Sequence, residues 1–339
     1  MMTQGPALGG RYQIIKLLGK GGFGETYLAK DTHLPGHPLR VVKRLQPQSS
    51  DPFVLQTASR LFETEAEILY KLGKHDRIPE LFAHFQENQE FYLVQEYIEG
   101  HDLTKEIIPV KQLSETEVTE LLRGILEVLE FVHRHKIIHR DIKPANLIRR
   151  AKDGKIVLID FGAVKQISTQ IHAQGQFNGT VPIGTEGYMP SEQSKGHPKL
   201  CSDIHAVGMV CIEALTGVLP NQLPTDPNTL EVIWQYRVSV SPKLATILDK
   251  MVRYHFKERY PSASEVLADI NAQMTLPAPP TVPLPPPPPP QTPKFLWLAG
   301  IALAIAAIAG IVIPKLIPQP VISPYPPNPK PSPTDKIIW

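Results

Sequence analysis

The segment IIHRDIKPANLI, residues 137–148, sets three chemically different side chains in one short loop: Asp141, Lys143 and Asn146. A carboxylate can accept the proton of a hydroxyl, an ammonium can neutralise charge on a transferring phosphoryl group, and a carboxamide oxygen can ligate a magnesium ion. The apolar pairs Ile137-Ile138 and Leu147-Ile148 pin both ends of the loop, which a solvated charged loop would not require. Further on, KIVLID (155–160) reads as a buried strand that ends in Asp160, followed by Phe161 and Gly162. A carboxylate at a strand end before a glycine suits a metal ligand. Asn146 and Asp160 lie 14 residues apart across Asp153-Gly154, and a hairpin there would bring both oxygens to one point.

A second set lies near the N-terminus. Gly19, Gly21, Gly22, Phe23 and Gly24 belong to GKGGFG, a GxGxxG pattern that alone would fit a dinucleotide-binding turn equally well. A dinucleotide site needs a helix after the glycines, whereas here ETYLAKD follows, and Thr26, Tyr27 and Leu28 favour a strand. Two strands joined by a glycine loop form a flap whose backbone N–H groups can close over phosphates. Lys43 ends the β-branched run Val41-Val42, and the helical segment RLFETEAEILYKL then offers Glu63, Glu65 and Glu67 as partners for it. Phe62, Ile68, Leu69 and Leu72 mark the buried stripe of that helix, and its register favours Glu65.

Strands and helices must hold these groups. YQIIKLL and FYLVQEYI alternate like strands, and TEVTELLRGILEVLEFVHRH has helical spacing after a Ser114…Glu117 capping box. Strands dominate the first hundred residues and helices the remainder. That segregation predicts an α+β protein of two lobes, a small β-rich one and a larger helical one, over residues 11–274.

Composition changes abruptly after Met274. Residues 275–294 are proline-rich, so polyproline II is expected, a semi-rigid spacer of about 50 Å or a docking segment for a proline-binding domain. Residues 295–313, FLWLAGIALAIAAIAGIVI, carry no charge and are long enough for one membrane-spanning helix, with Trp297 as an interfacial anchor. The proline spacer separates this segment from any core that could bury it. Residues 314–339 are again proline-rich and read as a disordered tail. The N-terminal MMTQGPALGGRY does not read as a signal peptide. A net charge of +2 without a basic block argues against nucleic acid as a partner, and the two cysteines, Cys201 and Cys211, are read as free thiols.

In order and spacing these residues resemble the motif set of the protein kinases. The chain is similar to the bacterial eukaryotic-like (Hanks-type) serine/threonine protein kinases, and VVKRL, QEYIEGHDL and SDIHAVG look most like cyanobacterial members. The resemblance implies a bilobal kinase fold with ATP and Mg²⁺, or Mn²⁺ in its place. Gly19, Gly21 and Gly24 would cover the phosphates, Lys43 would pair with Glu65, Asp141 would be the catalytic base, and Lys143 would contact the γ-phosphate. Asn146 and Asp160 would hold the metal. Glu96 and Ile98 would offer backbone groups to adenine, with Gln95 as gatekeeper. Glu192 in GTEGYMPSEQ would pair with Arg259, and Asp203 would brace the catalytic loop from a buried helix. Lys143 after His139-Arg140-Asp141, with Thr185 before Gly187-Tyr188, resembles the serine/threonine class. Thr26 and Val41 depart from the usual valine and alanine and alter the nucleotide pocket's shape without removing a charge. MPSE stands where APE is usual and keeps Glu192.

Arg140, directly before Asp141, is expected to take a phosphate from the segment 162–192, Thr180 being the first choice among Ser168, Thr169, Thr180 and Thr185. Homodimers for trans-autophosphorylation would supply it. The resulting expectation is a kinase of protein substrates, bound to the bilayer through 295–313 with its catalytic domain cytoplasmic, because ATP is there. Lys294 against Lys315, Lys330 and Lys336 runs mildly against the positive-inside rule. The competing readings are a membrane-tethered scaffold that binds nucleotide without turnover and a small-molecule phosphotransferase. The presence of Lys43, Asp141 and Asp160 opposes the first, and the segment GTEGYMPSEQ, suited to docking protein, opposes the second.

Overall fold

Alternating sequence in the first hundred residues folds into β1 (Tyr12–Gly21), β2 (Gly24–Asp31), β3 (Leu39–Leu45), β4 (Leu81–Glu87) and β5 (Glu90–Glu96), an antiparallel sheet of order β1-β2-β3-β5-β4. The computed structural model describes residues 7–21, 24–45, 52–161 and 187–274. The pleat sorts the sheet's side chains by period two. Ala29, Val42, Tyr92 and Val94 join Tyr12 in a small core on one face, where Phe85 stacks between Tyr12 and Tyr92. The other face carries Phe91 and Leu93 into the main core, against Phe62 and Leu69 of α1 (Pro52–Leu72). Phe62, Ala66, Leu69 and Leu72 repeat at helical spacing and are buried, and Glu65 shares their face at 3% exposure, whereas Glu63 and Glu67 are exposed.

The helical part begins with α2 (Glu115–Arg134). Its expected capping box is present: the Ser114 hydroxyl accepts from the Glu117 amide at 3.3 Å, and the Glu117 carboxylate accepts from the Ser114 amide at 2.8 Å. Val118, Leu121, Leu122, Ile125, Leu126, Leu129 and Val132 are buried. Each such side chain contributes about 1.5–3 kcal/mol relative to exposure, before chain entropy is subtracted. A three-stranded antiparallel sheet, in which β6 (Gly100–Asp102) precedes α2 and β7 (Leu147–Arg150) and β8 (Ile156–Leu158) follow it, carries the loops that hold Asp141 and Asp160. The turn predicted at Asp153-Gly154 connects β7 to β8, with Gly154 at φ 70°.

Helices α3 (Ser191–Ser194), α4 (Leu200–Thr216), α5 (Pro242–Met251) and α6 (Ala263–Met274) complete the described fold. Every residue of α4 from Cys201 to Thr216 is buried, which makes it a fixed post within the core. Arg259 joins α3 to this core. Its guanidinium meets Glu192 at 2.7 and 3.3 Å and also donates to the Tyr254 carbonyl at 2.9 Å, while Ser202 donates to Glu192 at 2.7 Å. Burial opposes the charge on Glu192, but the bonds from Arg259 and Ser202 prevail and hold its pKa below the ordinary glutamate value.

No helix among the described residues is long and apolar enough to cross a membrane. The expected linker at 275–294, span at 295–313 and tail at 314–339 lie outside the described residues.

Candidate active site

Cross-strand pairing builds the roof of a cleft. Thr26, Lys43 and Leu93 are neighbours across β2, β3 and β5, and Leu28, Val41 and Gln95 form the adjacent row. The nucleotide-pocket residues expected from the sequence, Thr26, Val41, Lys43 and Gln95, therefore share one face of the sheet. Gln95 is 3% exposed, and its Nε2 has no hydrogen-bond partner among the described residues. The Glu96 amide donates to the Glu80 carbonyl at 2.9 Å, and Ile98, two residues on, is buried.

The glycine loop joins β1 to β2 through the Gly21–Gly24 pair; Gly22 and Phe23 lie outside the described residues. Its glycines serve different ends. At Gly24, φ 154°, a Cβ would sit 1.9 Å from the Arg44 carbonyl oxygen, so the sheet itself requires glycine there. At Gly19 a Cβ would meet nothing within 4 Å, and the bare backbone faces space that another molecule can approach.

Lys43 brings three elements to one point. Its Nζ lies 3.4 Å from Glu65 Oε1 on α1 and 2.8 Å from Asp160 Oδ1 beyond β8. The sequence predicts the Glu65 pairing alone; the shorter contact goes to Asp160, which an ammonium with three donors can serve at the same time. Burial opposes the charge on Lys43, yet the two carboxylates outweigh it and hold the ammonium's pKa above the ordinary lysine value. Asp160 sits at φ 65°, left-handed for a non-glycine residue. Next to it Phe161 is buried, its ring centroid 4.7 Å from that of His139.

The loop between α2 and β7 is held from several sides. Asp203 on α4, 1% exposed, accepts from the His139 amide at 2.8 Å and the Arg140 amide at 2.9 Å, and from His133 Nε2 at 3.1 Å. Asp141 meets Lys143 Nζ at 3.3 Å, and Asn146 Nδ2 donates to both the Asp141 carbonyl, at 2.7 Å, and its carboxylate. The Asn146 carbonyl accepts from the Ile159 amide at 3.0 Å, so the hairpin brings Asn146 beside Asp160 as its spacing suggests. With Nδ2 turned to Asp141, Asn146 presents its Oδ1 on the opposite edge of the carboxamide. That oxygen and the Asp160 carboxylate are hard donors that fit a divalent cation which takes few protein ligands and completes its shell with phosphate and water.

His139 has no role in the sequence reading. Its Nδ1 accepts from the Asp141 amide at 3.3 Å, and its Nε2 faces the Ile159 carbonyl at 3.0 Å. Those partners select the neutral Nε2–H tautomer. His139 enters the sequence reading only as a letter of the His139-Arg140-Asp141 motif, and the fold shows which groups its ring meets. Arg140 is at φ 70°, and its Nε is buried with no hydrogen-bond partner among the described residues. Burial pushes its pKa below the ordinary arginine value, with Asp203 in partial opposition. Glu192 and Arg259 pair as expected, while Thr180 and Thr185 lie outside the described residues.

Residues 12–270 match the family of the protein kinase domain. The chain belongs to that family. The chain is 46% identical over 279 residues to the serine/threonine-protein kinase PknA of Nostoc sp., a match covering 81% of this chain and 49% of the relative. It is 45% identical over 265 residues to serine/threonine-protein kinase B of Synechocystis sp., covering 77% of this chain and 46% of that protein. The resemblance to cyanobacterial members of the Hanks-type family is thus upheld. The chain spans about half the length of these curated relatives. In fold, the kinase domain is similar to the PknI kinase domain of Mycobacterium tuberculosis, with a TM-score of 0.58 at 23% identity, covering 80% of this chain and 98% of that one.

Buried histidines give the kinase domain an acid limit. Burial lowers the pKa of His139, and it lowers that of His205, whose ring faces the Tyr188 carbonyl at 3.2 Å, to about 3. Below an unfolded-state pKa of about 6.5 the unfolded chain binds protons that the folded chain refuses, so stability falls as pH falls. Urea unfolding between pH 7 and 5 should show a loss approaching roughly 1 kcal/mol per pH unit from His205 below pH 6, with His139 adding in the same direction. His205→Asn should flatten that slope, and an unchanged slope would contradict the assignment.

Proposed function

We propose that this kinase domain transfers the γ-phosphoryl group of ATP to serine and threonine hydroxyls of protein substrates. The observation that carries the reading is Lys43 held between Glu65 at 3.4 Å and Asp160 at 2.8 Å, while Asp160 adjoins the bonded set Asp141, Lys143 and Asn146. A part-buried lysine charge fixed in this way is a preorganised partner for phosphate oxygens.

In the mechanism, the glycine loop covers the phosphates, and Lys43 contacts the α- and β-phosphates. The substrate hydroxyl attacks the γ-phosphorus in line as its proton passes to Asp141, the bond from the γ-phosphorus to the bridging oxygen breaks, and ADP leaves. Lys143 meets charge on the γ-phosphate. Asn146 and Asp160 would hold a divalent cation, Mg²⁺ or Mn²⁺, which supplies charge neutralisation at the phosphates. The backbone of Glu96 and Ile98 receives the adenine, beside Gln95. Positioning and electrostatics do most of the work, because phosphoryl transfer asks for little covalent help.

Regulation follows from Arg140, whose half-buried guanidinium suits a phosphate. Autophosphorylation of Thr180 within a transient homodimer would supply one. The chain is further read as anchored by 295–313, with the domain on the cytoplasmic side where ATP is available; the uncharged stretch FLWLAGIALAIAAIAGIVI supports this.

Two experiments test these readings. The full chain with labelled ATP, Mg²⁺ and a generic protein substrate should transfer label to serine and threonine, and Asp141→Asn should lower the rate about 10²–10⁴-fold. Mapping the label on the chain itself should find Thr180, and Thr180→Ala should reduce turnover. Turnover unaffected by Asp141→Asn would refute the mechanism, and full activity after alanine replacement of Ser168, Thr169, Thr180 and Thr185 in turn would refute the regulatory step. In cell fractionation, the chain should pellet with membranes after alkaline carbonate extraction, and deletion of 295–313 should release it. Release of the intact chain would contradict anchoring.

A further inference from the structure

The peptide bond between Arg140 and Asp141 is gripped from both sides. It is trans, so its carbonyl oxygen and its N–H point in opposite directions. The N–H, belonging to Asp141, donates to His139 Nδ1 at 3.3 Å. The carbonyl, belonging to Arg140, accepts from Gln193 Nε2 at 2.6 Å, and Gln193 comes from α3, fifty-three positions away. Arg140 at φ 70° is in a conformation that a side-chain-bearing residue rarely adopts, so outside contacts must hold it. Asp203 holds the residue's amide at 2.9 Å, and Gln193 holds its carbonyl.

Gln193 is itself fixed. Its neighbour Glu192 is locked by Arg259 at 2.7 Å and Ser202 at 2.7 Å, and α3 starts from the Pro190 carbonyl, which accepts the Gln193 amide at 3.1 Å. The space among Arg140, Asp141, Tyr188, Met189, Gln193 and Asp203 is only about 10 Å³. There the Arg140 carbonyl accepts directly from the Gln193 carboxamide.

We propose that Gln193 is a positioning residue for the catalytic loop: its carboxamide sets the plane of the Arg140–Asp141 peptide, and with it the aim of the Asp141 carboxylate at the substrate hydroxyl. The same bond couples α3, and the segment expected to dock protein, to the base. This rests on the reading of Asp141 as the base. Gln193 touches neither nucleotide nor hydroxyl; it acts through the backbone.

The test uses the full chain and steady-state transfer to a protein substrate with labelled ATP. Gln193→Leu keeps the volume and removes the donor, and Gln193→Glu keeps the shape and sets an acceptor against an acceptor. Gln193→Leu should lower kcat about 10- to 100-fold, as expected for a sub-ångström misplacement of a reacting group, with the KM for ATP within about twofold of wild type. Gln193→Glu should lower kcat further. Ser194→Ala, on the exposed side of α3, should leave kcat unchanged. The decisive arm combines Gln193→Leu with Asp141→Asn: if Gln193 acts through Asp141, the double variant transfers phosphate no more slowly than Asp141→Asn alone. Equal fold-losses in both backgrounds, a raised KM for ATP with unchanged kcat, or wild-type kcat in Gln193→Leu and Gln193→Glu would each overturn the proposal. A wild-type chain that transfers no phosphate would instead refute the kinase mechanism on which it rests.

Discussion

A lysine charge with little access to water is the constraint around which the molecule is arranged. Burial in the cleft pushes the pKa of Lys43 down, and the anions that approach its Nζ more than offset this and keep it an ammonium. Glu65 and Asp160 provide those anions from a helix of the β-rich lobe and from a strand end of the helical lobe. Such a group is ill suited to adding stability, since buried ion pairs roughly offset their own desolvation. Its value lies in fixing where positive charge stands relative to Asp141 and Asn146. The sheet pleat delivers Lys43, the apolar stripe of α1 delivers Glu65, and the β7–β8 hairpin delivers Asp160, so three independent folding decisions must agree at one atom.

The catalytic loop is organised differently, by hydrogen bonds to its backbone. Two non-glycine residues with positive φ, Arg140 and Asp160, flank the chemistry. Conformations of this kind cost about 1–3 kcal/mol each and persist where neighbours over-determine them. The over-determination at Arg140 is explicit: Asp203 on the buried helix α4 holds its amide, Gln193 on α3 holds its carbonyl, and His139 holds the following amide. Strain is thereby stored in the residue next to Asp141, and the buried charged pair of Glu192 and Arg259 anchors one of its clamps.

How much of this could be read in the sequence depends on the kind of signal. The two-lobed α+β order, the capping box at Ser114 and the Asp153-Gly154 hairpin are local patterns, and local patterns survive into the fold. Glu65 was separable from Glu63 and Glu67 because a helix has one buried face. The sharing of the Lys43 ammonium between Glu65 and Asp160 was only half legible: positions 43 and 160 are far apart in the chain, and no periodicity relates them. His139 and Gln193 stand inside segments that carry the resemblance, yet their contacts were not legible there, because they meet backbone groups, which every residue possesses.

The central claim is that Lys43, fixed by its carboxylates, is the cation that meets the phosphates of ATP. It is tested most directly by measuring kcat/KM for ATP in Glu65→Gln, Lys43→Met and the double variant. If Glu65 works by fixing Lys43, Glu65→Gln lowers kcat/KM at least about tenfold and adds no further loss once Lys43 is methionine. Wild-type kcat/KM in Glu65→Gln, or losses that simply multiply in the double variant, would contradict this account of the site.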